Sequence, residues 1–138
     1  MKTVSKSIFI LVTIVGLVLC SSCETNQEAE LDITQNNIEL LENGEWLLKD
    51  FEETIMYTFA NGERATYYGE NSVFSDEPIP GKHAFTFQEN ILTIDLNFGN
   101  IVTYEVQFSC DNNIVEFYED GQLNSTLYKR DTNYTSCL

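Results

Sequence analysis

Apolar and polar residues alternate along most of this chain with a period of two, the pattern of strands whose two faces meet different surroundings. Leu92, Ile94, Leu96 and Phe98 alternate with Thr93, Asp95 and Asn97; Val102, Tyr104, Val106 and Phe108 alternate with Thr103, Glu105 and Gln107. Gly99-Asn100 between the two runs reads as a two-residue hairpin. Further turns are signalled at Asn43-Gly44, Asn61-Gly62, Glu89-Asn90, Asp111-Asn112-Asn113 and Asp120-Gly121. The runs predict about eight strands: Glu45–Phe51, Ile55–Ala60, Arg64–Tyr68, Ala84–Gln88, Ile91–Phe98, Ile101–Ser109, Ile114–Glu119 and Ser125–Arg130. Pro78 and Pro80 both fall in the longest connection, Gly69 to Lys82, where they break no ladder. Short connections elsewhere make successive strands antiparallel neighbours, and a meander of this length exposes two edges unless it closes. The expected fold is all-β, a small antiparallel up-and-down β-barrel.

The first residues follow a different pattern. Lys2 and Lys6 precede an apolar run from Ile8 to Leu19, interrupted by Thr13 and Gly16 and followed by Ser21 and Ser22. The run is shorter than the about 20 residues a membrane span needs, and a charged start, short apolar core and small residues read as a secretory signal. Ser21-Ser22-Cys23 resembles the bacterial lipobox, in which the Cys is acylated and becomes the new N-terminus. That resemblance implies lipid anchoring at Cys23 in a bacterial cell envelope, with the outer membrane as the expected place. Cys20 stands where the lipobox carries an aliphatic residue. Acylation at Cys20 itself would put bulky Leu19 at a cleavage site that takes small side chains. An ordinary signal peptide cut near Ser22 and an uncleaved anchor are the alternatives. The expected division is signal peptide 1–22, acylated Cys and polar tether 23–42, and barrel domain 43–138. Within the tether, Leu31, Ile33 and Ile38 to Leu41 suit a helical turn or two.

Composition narrows the partners. The chain has 22 acidic against 7 basic side chains and a formal charge of −15. All the acids follow Cys23, while Lys2 and Lys6 would leave with the signal, so the mature chain is more acidic still. Such a balance disfavours nucleic acid, whose phosphates call for Lys and Arg, and adsorption to anionic headgroups. With Cys20 removed and Cys23 acylated, Cys110 and Cys137 remain as a disulfide candidate in an oxidising compartment. A bridge there would tie the C-terminal tail to the body for about 3 kcal/mol; two separate thiols are the alternative.

Gly44-Glu45-Trp46 opens the first strand and Arg130 closes the last. With Phe59-Ala60-Asn61-Gly62 as strand and turn, and Leu127 to Arg130 at the end, the chain from Gly44 to Asp131 resembles lipocalin-like lipoprotein domains of the Bacteroidota, which are calycin-type barrels. The resemblance implies a barrel floor built from Gly44, Trp46 and Arg130, with the guanidinium lying across the indole. The residues together suggest a non-catalytic domain that binds a small apolar ligand or an envelope protein; a structural or interaction lipoprotein with a fully packed barrel and no ligand cavity is the alternative. The bulky inward set (Phe59, Phe85, Phe87, Phe98, Tyr104, Phe108 and Phe117) suits either a filled barrel or one with a ligand-sized cavity.

Catalytic chemistry finds little material here. The carboxylate pairs Glu52-Glu53 and Asp76-Glu77 read as turn and loop faces, and His83 is the single histidine. No cofactor or metal is expected. The 69–82 connection, together with Tyr67 and Tyr68 before it, is rich in apolar residues for a linker. Tyr67, Tyr68, Phe74 and Ile79 are therefore the candidate ligand-binding residues, on a lid or plug at the barrel mouth.

Overall fold

Asn61-Gly62, Glu89-Asn90 and Asp120-Gly121 take positive φ at both residues, the turn geometry whose twist matches that of the strands it joins. These turns fix the register of three hairpins in the computed structural model, which describes residues 37–138. The signal, Cys23 and most of the tether lie outside the described residues.

The strands are β1 Glu45–Leu48, β2 Ile55–Ala60, β3 Glu63–Glu70, β4 Val73–Phe74, β5 His83–Gln88, β6 Ile91–Asp95, β7 Ile101–Ser109, β8 Ile114–Glu119 and β9 Gln122–Lys129. Each is antiparallel to its neighbour, and β9 pairs with β1, so eight strands close on themselves while β4 pairs only with β3. The all-β, up-and-down barrel expected from the alternation is the fold. Closure removes the free edges that an open meander would present.

Period two divides the apolar residues between two cores. The inner one holds Trp46, Phe59, Phe85, Phe87, Leu92, Ile94, Val106, Val115, Phe117 and Leu127. Residues 37–42 are helical, and Leu41, with no exposed surface, closes the end of the barrel where β1 begins. The Trp46 indole Nε1–H donates to the Leu41 carbonyl at 2.8 Å. Gly44 makes this possible, because a Cβ there would overlap the indole. The inner core thus includes Leu41 of the helix, with Ile38 packed against it.

The second core lies on the outer wall. Leu47, Met56, Ile114 and Tyr128 point outward and are buried beneath Tyr67, Phe74, Cys110 and Tyr134. Tyr134 stacks on Tyr128 with ring centroids 4.5 Å apart, and the Cys110–Cys137 disulfide, Cα–Cα 6.0 Å, holds the tail in place. This patch explains why the C-terminal 3-10 turn Tyr134–Cys137 belongs to the body of the protein.

Three expectations are corrected. β1 ends at Leu48 and gives way to a turn through Asp50, which has positive φ. β6 ends at Asp95, and Phe98, placed inward by the alternation, is fully exposed. Asn97, Phe98 and Gly99 all take positive φ, and Leu96 N–H bonds Asn100 O, so a longer loop replaces the Gly99-Asn100 hairpin. Finally, the 69–82 segment meets the outer wall through Phe74, while most of its residues are exposed. Gly69, where a Cβ would stand 2.8 Å from the Phe74 ring, lets β4 fold back against β3, and Ile79 N–H bonds Thr66 O at 2.9 Å.

Candidate functional site

The inner core does not fill the barrel. Toward the end opposite the helix a cavity of about 340 Å³ remains. Its apolar walls are Leu48, Phe59, Phe117 and Leu127, and its polar groups are Tyr57, Arg64, Tyr104, Asn124 and Ser125. Phe59 meets Phe117 edge to face at 6.4 Å, and Tyr104 stacks on Phe117 at 5.6 Å. These contacts make a stiff aromatic wall, because each ring is held by another. The interior is filled below and open above.

Arg64 is the unusual member of this lining. It stands opposite Phe59 across the β2–β3 ladder, and facing residues on paired strands share a side of the sheet. Its guanidinium therefore enters the barrel, where it lies 4.9 Å from the centre of the Tyr57 ring. Its Nε–H is buried without a hydrogen-bond partner, and none of the ion pairs among the described residues includes it. Burial pulls the guanidinium below its ordinary pKa, with Tyr57 and Tyr104 pulling it back. The same burial pushes the Tyr57 and Tyr104 phenols up, so both remain protonated donors at neutral pH.

The expected ligand-binding residues lie elsewhere. Phe74 packs on the outer core and under Arg130, Tyr67 joins the same cluster, and Tyr68 is 55% exposed. Neither these three nor Ile79 lines the cavity. Within that stretch Phe74 is drawn to the buried apolar patch on the wall, while Tyr68 and Val73 stay exposed at the open end.

Gly44 and Trp46 lie at the base of the barrel, and Arg130 does not cover the indole. Trp46 faces Lys129 directly across the β1–β9 ladder, and the Lys129 ammonium stands 5.9 Å from the ring. Arg130, one residue on, points to the other face. There it bonds Glu45 at 2.9 Å and lies 5.3 Å from the Phe74 ring.

The rim at the open end carries exposed apolar side chains from several loops: Phe51, Tyr68, Val73, Phe98, Ile101 and Leu123. A second concavity of about 590 Å³ lies on the outer surface between the β1–β2 turn and Tyr134. It is wider open, and its lining combines Asp50, Glu52 and Glu53 with Leu47, Phe51 and Tyr134. His83 is committed to the β6 end, its Nδ1 lying 3.2 Å from Asp95 O and 3.1 Å from Asn97 Nδ2. Among the described residues no cluster of His, Cys, Asp and Glu is arranged to hold a metal ion. Set against protein-family models, curated proteins and solved structures, the chain matches none of them.

Proposed function

We propose that this chain is a lipid-anchored envelope protein whose barrel binds a small, largely apolar molecule without turning it over. The carrying observation is the 340 Å³ cavity inside the barrel, within the range of small-molecule sites, about 300–1,000 Å³. Its walls are aromatic and aliphatic, with polar groups contributed by β2, β3, β7 and β9. Exposed apolar side chains around the open end supply a surface over which such a molecule can enter. The lipobox-like Ser21-Ser22-Cys23 supports anchoring through acylated Cys23, and the acidic tether supports a domain held off the bilayer.

Titration with a neutral fluorescent probe, N-phenyl-naphthylamine, tests this reading. Saturable binding at one site is expected, and filling the cavity with Ser125→Trp should abolish it. Absence of binding, or binding indifferent to Ser125→Trp, would overturn the reading.

A further inference from the structure

We infer that the ligand is a monoanionic amphiphile, with its carboxylate on the Arg64 guanidinium and its apolar body against Phe59, Phe117 and Leu127. This rests on the proposal that the cavity binds a small molecule and adds the chemistry of the head group. The first ground is the unpaired cation. The Arg64 Nε–H, buried and unbonded in the aromatic lining, has lost hydration that no carboxylate among the described residues restores. Facing Tyr57 compensates only partly, since a cation–π contact is weaker than a charge-assisted hydrogen bond. A carboxylate fits the planar fork of Arg and would satisfy it.

The second ground is the match of polar neighbours. Tyr57 and Tyr104 line the same cavity, and their phenols, kept protonated by burial, can donate O–H bonds to a bound anion. Among the described residues neither Asp nor Glu lines the cavity, although the chain as a whole is strongly acidic. The third ground is charge balance. Arg64 is the one cationic residue in the lining, so it neutralises a single negative charge. A phosphate monoester, carrying about two charges, would be left with an excess inside an already acidic protein.

Three probes of equal tail length separate head group from cavity: decanoate, decanol and decyltrimethylammonium, titrated calorimetrically into the full chain at fixed salt. Decanoate is expected to bind about tenfold or more tightly than decanol, and the cation weakest. Arg64→Met should bring decanoate to the level of decanol while leaving decanol unchanged. Arg64→Lys, which keeps the charge but not the fork, should fall between. Should Arg64→Met fail to fold, the three-probe ranking on the unaltered chain and Arg64→Lys still decide. Equal binding of decanoate and decanol, or preference for the cation, would overturn the head-group assignment while leaving the cavity reading intact. If no tailed probe binds and N-phenyl-naphthylamine also fails, both are overturned.

Discussion

Arg64 on β3 stands directly opposite Phe59 on β2, so a cation shares the inner face of the barrel with the largest aromatic cluster. That arrangement works against the empty protein. A partly buried guanidinium whose Nε–H has no partner is unfavourable, and the Tyr57 ring offsets only part of it.

Arg64→Met should therefore stabilise the ligand-free chain, by roughly 1 kcal/mol once the water that still reaches the guanidinium is allowed for. Urea unfolding of the two proteins checks this. A clear loss of stability would mean that Arg64 is a structural member of the core and not a group held ready for a ligand.

Trp46 and Gly44 are the corresponding structural pair at the other end. Trp46→Phe removes the donor to Leu41 O and leaves space at the base, and should cost about 2–3 kcal/mol. Gly44→Ala pushes a methyl into the indole and should cost about 1–3 kcal/mol. Both appear as lower urea midpoints, and both should spare probe binding at the far end.

The disulfide secures the outer core alone. Replacing Cys110 and Cys137 by Ser should remove about 3–4 kcal/mol, lowering Tm by roughly 15 °C for a domain of this size. The far-UV spectrum of the barrel should persist below the new Tm, because the inner core is built from other residues. Loss of sheet signal at all temperatures would show that the two cores are not separable.

Alkaline pH tests the buried phenols. Burial raises Tyr57 and Tyr104, with Glu119 adding to the rise at Tyr104 and Arg64 opposing it at both. The folded state therefore holds these protons more tightly than the unfolded state. Their contribution is complete below the ordinary phenol value of about 10 and is lost as pH climbs beyond it. Urea midpoints should be flat with respect to these groups up to about pH 9 and fall above about 10. The Tyr57→Phe, Tyr104→Phe double variant should lose less over the same climb.

Anchoring is tested separately. Cys23→Ala should abolish labelling by radioactive palmitate and release the protein from the membrane fraction. Labelling that persists would place the acyl group elsewhere.

Much of the fold could be read from the chain because barrel strands alternate and their turns carry Asn, Asp and Gly at positive φ. The Cys110–Cys137 bridge was one of two readings that an even cysteine pair allowed, and the place of Gly44 and Trp46 came from the family resemblance, not from their residue types. The loops were harder. Phe98 continues the alternation of β6, yet the positive φ values of Asn97 to Gly99 turn it into solvent. In the 69–82 segment Phe74 joins a second core on the wall, and a core outside a barrel leaves no periodic signature. Arg64 was overlooked as a site residue although its signal was present. A two-residue turn at Asn61-Gly62 pairs Ala60 with Glu63 and hence Phe59 with Arg64, which puts the cation on the face of the phenylalanine.

The most direct test is an NMR titration of the isotope-labelled chain with decanoate, following backbone and side-chain resonances together. Saturable shifts centred on Tyr57, Arg64, Tyr104 and Leu127, with the outer-wall residues Tyr67 and Phe74 unmoved, are the predicted result. Shifts confined to Phe51, Tyr68, Val73 and Phe98 at the rim, or to the outer wall, would contradict binding inside the barrel.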